Sequence, residues 1–239
     1  MFVEYNTYVG LRDINSLQEL KNTSLLSYLE NVACMHSEMA GFGVTTMHET
    51  KRTWVLLSWK IKVLKRPKFN DNLRIKTWSR CIEKFYAYRD FEVYNNNELV
   101  CIATSKWVFI DIEKEKLIKV PDDIASRYNP ESEYKVFEEK DLPKLSSPEN
   151  NLREIKYKIT RNMIDVNNHL HNIYYMDIAL EALPSDISIS NEFNEFEIMY
   201  KKEVKLGENV RAIYSKDDEY HYVTIKSENN ELHAIIRLK

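Results

Sequence analysis

Twice along this 239-residue chain a helix-period segment is followed by a series of strand-period segments, and that doubled order restricts the fold more than any other feature. The first helix begins near Thr23, where Leu25, Leu26, Leu29, Val32, Ala33, His36 and Ala40 recur at i, i+3, i+4 and i+7 spacing. Asn22 or Thr23 is placed to cap its start and Gly41 to end it. A first strand lies within residues 2–12. Further aromatic, β-branched or alternating segments follow at Trp54–Val63, Asn72–Arg80, Phe85–Tyr94 and Leu99–Ile110. One helix and a succession of antiparallel strands form an α+β unit in which the sheet wraps the helix.

The pattern breaks between Pro121 and Arg153, a stretch rich in Pro, Glu, Ser and Asn that reads as a surface linker. It then resumes with a strand at Glu154–Thr160 and a helix at Ile173–Leu183. Four strands follow, at Phe193–Val204, Asn209–Ser215, Glu219–Lys226 and Leu232–Leu238. Short matches support a repeat: Asp71-Asn-Leu-Arg-Ile75 resembles Glu208-Asn-Val-Arg-Ala212, and Asn96-Asn-Glu-Leu99 recurs as Asn229-Asn-Glu-Leu232. A displacement of 147 positions, Leu26 onto Ile173, superposes the helices' apolar residues. The expected organisation is one module at 1–120, a linker at 121–153 and a second module at 154–239.

Charge and cysteine usage narrow the function. A net charge of −3 gives no global reason to expect a nucleic-acid partner. Cys34, Cys81 and Cys101 are widely spaced with no C-x-x-C pair, which argues against a disulfide framework or zinc knuckle and for a reducing cytoplasm. Neither a signal nor a transit pattern opens the chain, and no apolar run approaches the roughly 20 residues of a membrane span. Basic residues cluster at Lys60, Lys62, Lys65, Arg66, Lys68, Arg74 and Lys76, and again at Lys201, Lys202 and Lys205. They read either as solvated strand faces or as a docking surface for an acidic partner.

Chemistry concentrates just ahead of the second helix, where Asp165, Asn167 and His169 fall at alternate positions. In an extended segment these side chains share one side, giving a carboxylate, an amide and an imidazole, the groups acyl transfer uses. Short polar residues at this place also start turns and cap helices. At the displacement of 147 their counterparts are Gln18, Leu20 and Asn22, so the first copy lacks the ionisable set.

Over most of its length the chain resembles the acyl-acyl carrier protein (acyl-ACP) thioesterases of the plant and bacterial type. The resemblance rests on Ser24-Leu-Leu-Ser-Tyr-Leu-Glu-Asn31, Ala40-Gly-Phe-Gly43, Trp54-Val-Leu-Leu57, Arg66-Pro67, Thr77-Trp78, Thr104-Ser-Lys-Trp107, Lys119-Val-Pro-Asp122, Asp165-Val-Asn-Asn-His169 with Asn172 and Tyr175, and Tyr200-Lys-Lys-Glu203. It implies an α+β double hot-dog fold, each long helix wrapped by an antiparallel sheet, with one active site serving the pair. It further implies a hydrolase of fatty acid synthesis whose catalytic set is Asp165, Asn167, His169 and Glu203. The implied partner is an acyl carrier protein bearing an acyl-phosphopantetheine thioester, with no cofactor or metal, and pairing into a homodimer is open. Two positions depart from the family: His171 stands where an Asn is usual, and Val204 where plant members often have Cys, which excludes a Cys–His–Asn nucleophile here. An acyl-CoA thioesterase and a non-catalytic acyl-thioester binding module are the alternatives.

Overall fold

Strands β2 (Arg52–Val63) and β8 (Glu195–Tyr200) run side by side and join both halves of the chain into one antiparallel sheet, with Trp59 opposite Ile198 and Ile61 opposite Phe196. The computed structural model describes residues 1–188 and 192–239. The first half contributes β1 (Phe2–Tyr8), β3 (Asn72–Glu83), β4 (Tyr86–Asn95), β5 (Glu98–Asp111) and the short β6 (Lys116–Leu117). The second contributes β7 (Arg153–Lys158), β9 (Asn209–Lys216), β10 (His221–Ser227) and β11 (Leu232–Leu238). The sheet runs β1-β3-β4-β5-β2-β8-β11-β10-β9-β7, with β6 paired to β5. Outward from the β2–β8 seam, each strand of one half except β6 has its counterpart in the other.

Each half packs one long helix against its strands. Helix α1 (Asn22–Met39) turns Leu25, Leu26, Leu29 and Val32 inward against β1 and β3. Helix α4 (Tyr174–Ala182) turns Tyr175, Met176, Ile178 and Ala179 against β7, β9 and β10. Leu29 and Val32 are fully buried, each worth about 2 kcal/mol of apolar burial. One continuous core includes residues of both halves.

The buried positions correct the expected repeat register. Leu25, Leu26, Tyr28, Leu29, Val32 and Ala33 match Tyr175, Met176, Ile178, Ala179, Ala182 and Leu183, a displacement of 150 rather than 147 (Leu25 onto Tyr175). Helical residues three apart share a face, so the apolar pattern alone fits either displacement. The loops ahead of the helices decide between them, since the bridge Ile14–Leu20 recurs as Ile164–Leu170.

Two other expectations shift. The stretch after Pro121 contains a helix, α3 (Asp122–Arg127), whose Ile124 packs with Tyr128, Ala40, Phe109 and Val120 in a second small core. Beyond it the chain lies on the sheet's outer face, where Tyr134 O accepts from Trp78 Nε1 at 3.0 Å and Lys140 O from Arg80 Nη2 at 2.9 Å. The strand expected to reach Val204 ends at Tyr200, because three consecutive exposed charges, Lys201, Lys202 and Glu203, break its alternation. Two short helices, α2 (Met47–Thr50) and α5 (Ser185–Ser188), and two single-turn 3₁₀ helices, Leu11–Asp13 and Arg161–Met163, complete the described elements. Among the described residues no helix is long and apolar enough to cross a membrane.

Candidate active site

Asp165, Asn167 and His169 are gathered by a tight loop and not by strand alternation. The loop is closed by the Ile164–Leu170 bridge, and Asn168 adopts a left-handed conformation (φ 63°) that Asn tolerates. Asp165 Oδ1 accepts hydrogen bonds from the backbone N–H of Asn167 (2.8 Å) and of His169 (3.0 Å), while Asn167 Nδ2 donates to Asp165 Oδ2 at 3.3 Å.

The first half contains the same loop with different side chains. Gln18 takes the left-handed position (φ 62°), and Asn15 Oδ1 accepts from the N–H of Leu17 (2.9 Å) and of Glu19 (3.0 Å). The residues equivalent to Asp165, Asn167 and His169 are therefore Asn15, Leu17 and Glu19, replacing the counterparts expected from the sequence. The loop needs one acceptor oxygen at its first position, and an amide provides it. What Asp165 adds is a second, anionic oxygen.

Glu203 reaches the same place from the segment after β8. Leu170 N–H donates to Val204 O at 2.8 Å, and His169 bridges Lys205 through the backbone. In the first half the corresponding bond runs from Leu20 N–H to Pro67 O, also 2.8 Å, so Arg66 occupies the position of Glu203. Arg66 works at the seam: Nη1 donates to Leu20 O (3.1 Å) and Asn22 Oδ1 (2.7 Å), and Nη2 to Phe193 O (2.7 Å) and Asn194 Oδ1 (2.8 Å). One geometry thus carries a structural cation in one half and an exposed carboxylate in the other.

All four sequence-expected residues line a single cavity of about 1330 Å³ that also draws on α1 and the strands of the first half. Asp165 and His169 are half-buried, whereas Asn167 and Glu203 are exposed. Tyr175 lies beneath them, its hydroxyl pKa raised by burial and then by the charges of Glu203 and Asp165. Both carboxylates therefore act on one buried ring. The Tyr200 hydroxyl donates to Asn172 O at 3.1 Å and closes the floor.

Three cavity residues were not singled out from the sequence in this role. Glu30 on α1 faces His171, with Oε2 3.7 Å from Nε2; nothing in an acidic residue on a partly exposed helix face would have marked it. Arg89 lies deeper, 6% exposed, with Nη1 2.8 Å from His36 Nδ1 and 3.3 Å from Thr77 Oγ1. Its signal was the alternation of β4, which puts Arg89 on the same face as Phe91 and Val93. Cys34 on α1 also faces the cavity. Burial pushes its thiol up to about 11, so it stays protonated and is no nucleophile. Val204 is fully buried.

The first basic cluster is largely neutralised: Lys60 pairs with Glu139, Lys62 with Glu195, Lys65 with Glu98, Arg74 with Glu4 and Lys76 with Glu92. Of the second cluster, Lys202 pairs with Glu231. Lys201 and Lys205 are exposed on the cavity rim and form no ion pair among the described residues.

Two helices, each packed in one half of a shared antiparallel sheet, with a single cavity at their junction, make this a double hot-dog protein. The acyl-ACP thioesterase N-terminal domain matches residues 3–128 and the acyl-ACP thioesterase C-terminal domain residues 146–237, and the chain belongs to that family. An acyl-ACP thioesterase from Bacteroides thetaiotaomicron VPI-5482 shares the fold with a TM-score of 0.87 at 21% identity, covering 99% of this chain and 96% of that one. The 12:0-ACP thioesterase from Umbellularia californica does so with a TM-score of 0.85 at 18% identity, covering 100% and 96%. Oleoyl-acyl carrier protein thioesterase 1, chloroplastic, of Arabidopsis thaliana is 27% identical over 82% of this chain, which spans 59% of that protein's length.

Proposed function

We propose that this chain is a thioester hydrolase that releases free fatty acid from acyl-ACP, ending chain growth in fatty acid synthesis. The observation that carries the reading is the exchange of Asn15 for Asp165 in an otherwise equivalent loop. It adds a charge the loop does not need and sets it on a cavity large enough for an acyl chain. Membership of the acyl-ACP thioesterase family supports it. In this reading Asp165 attacks the thioester carbonyl or acts as base for water. Asn167 positions a reacting group through its amide, His169 assists proton transfer, and Glu203 orients His169 or a water. The test is thiol release from acyl-ACPs of graded chain length, with matched acyl-CoAs alongside. Tight binding without turnover would convert the reading to a non-catalytic acyl-thioester module, and preference for acyl-CoA would replace the carrier. An acid-quenched single turnover with acyl-labelled substrate separates the roles of Asp165, since only an acyl-Asp165 anhydride leaves the acyl group covalently on the protein.

The carrier docks, in the same proposal, on the rim at Lys201 and Lys205 and not on the paired lysines of the first cluster. Reversing both to Glu is expected to raise KM for acyl-ACP several-fold at low salt and to leave a small acyl thioester unaffected. Equal effects on both substrates would refute it. Residues 1–120 form the scaffold and much of the acyl pocket, 121–153 the connecting cover, and 154–239 the module carrying the catalytic set. The three free cysteines fit a cytoplasmic setting. Of the two free sheet edges, β7 carries Arg153, Glu154, Lys156 and Lys158, whereas β1 carries only Glu4. A homodimer would therefore pair along β1, and sedimentation equilibrium distinguishes it from a monomer.

A further inference from the structure

Glu30 enters the cavity from α1, the helix of the half that lacks the Asp–Asn–His set. Its side chain is only 17% exposed and faces the His171 ring, Oε2 to Nε2 at 3.7 Å, across the junction of the two halves. The groups around it come from every neighbouring element: Cys34 from α1 itself, Asp165, His171 and Asn172 from the stretch leading into α4, and Tyr200 from β8. Helix packing does not demand this pair. At the repeat displacement of 150, Glu30 corresponds to Leu180 and His171 to Lys21, so neither member of the pair recurs in the other half.

We propose that Glu30 is the general base for the water that releases the fatty acid, and that His171 positions its carboxylate and carries the proton onward. The proposal rests on the thioesterase reading above, with Asp165 as nucleophile and not as base, and adds a catalytic group from the first half to it. An Asp165 oxygen bonds to the acyl carbon, and the carbon–sulfur bond breaks with its electron pair on sulfur, giving an anhydride and a thiolate. As the water oxygen then bonds to the acyl carbon, one water proton moves to a Glu30 oxygen, the bond from the acyl carbon to Asp165 breaks, and the Asp165 carboxylate returns. The proton passes through His171 to the thiolate, so the products are a fatty acid and a thiol. The surroundings suit the role: burial raises the carboxyl pKa, the His171 charge and an Asn172 hydrogen bond lower it, and the Asp165 charge raises it again. A carboxylate raised from its ordinary range is a stronger base near neutral pH.

The experiment compares wild type, Glu30→Gln, Glu30→Asp and His171→Asn in steady-state hydrolysis of one acyl thioester across pH, with thermal unfolding of each. Glu30→Gln is expected to lower kcat about 100-fold with KM changed less than about two-fold, to abolish the acidic limb of the kcat profile, and to unfold no earlier than wild type. Neutral hydroxylamine, a nucleophile that needs no base, is expected to restore most of the lost acyl transfer as hydroxamate. Glu30→Asp should recover part of kcat. His171→Asn should move the acidic limb to higher pH, because the interaction with His171 that lowers the Glu30 pKa is gone. A folded Glu30→Gln enzyme with wild-type kcat and pH profile, or an impaired one that hydroxylamine does not rescue, overturns the proposal while leaving the thioesterase reading intact. Absence of thioester turnover by wild type overturns both.

Discussion

Asn15 and Asp165 hold the same pair of backbone donors, so exchanging acid for amide at position 165 separates fold from chemistry. Asp165→Asn should keep its melting temperature within about 2 °C of wild type while turnover falls at least about 100-fold. A folded, fully active variant would remove Asp165 from the mechanism. His36 is the second residue whose behaviour follows from its surroundings. Burial first, and then the Arg89 charge, lower its pKa to about 3. The unfolded ring takes up a proton below about 6.5 and the folded one only near 3, so stability falls as pH drops through that window. The expected slope from this group approaches 1.4 kcal/mol per pH unit, roughly. Urea unfolding of His36→Gln between pH 4 and 7 should show a shallower pH dependence than wild type, and parallel curves would contradict the burial argument.

Among the elements, the paired loops show how one backbone supports two tasks. Arg66 and Glu203 occupy equivalent places beside equivalent loops, yet Arg66 binds two carbonyls and two side-chain oxygens across the β2–β8 seam, while Glu203 projects to the cavity. Arg66→Ala leaves those acceptors without a donor and should lower stability by about 2–3 kcal/mol in urea unfolding. Glu203→Gln should leave stability within about 0.5 kcal/mol and act on turnover instead. The helices and most strands were legible in the sequence because each buries one face, and periodicity reports which face. The 150-residue register was not, since the loop that fixes it is held by hydrogen bonds to backbone donors, which leave no apolar pattern. Glu203 leaves the sheet for a similar reason: where Lys201, Lys202 and Glu203 follow one another, alternation no longer says where the chain goes.

For the whole molecule, the β2–β8 pairing and a core shared by both halves make the chain one unit. All four tryptophans, Trp54, Trp59, Trp78 and Trp107, lie in the first half. Tryptophan fluorescence therefore reports that half, and far-UV circular dichroism reports both. The two unfolding curves are expected to coincide in a single transition. A fluorescence transition separated from the dichroism curve would show halves that unfold independently.

The sequence by itself determined a repeated helix-and-strands order, and its motifs pointed to the family and to four residues that the structure brings to one cavity. Those features are local: apolar period, charge placement and short motifs each declare themselves within a few residues. Only the tertiary structure set Glu30 opposite His171, sealed Arg66 into the seam, and separated paired lysines from the two at the rim. Each of those depends on contact between segments far apart in the chain, and the periodicity of either segment alone carries no record of its partner.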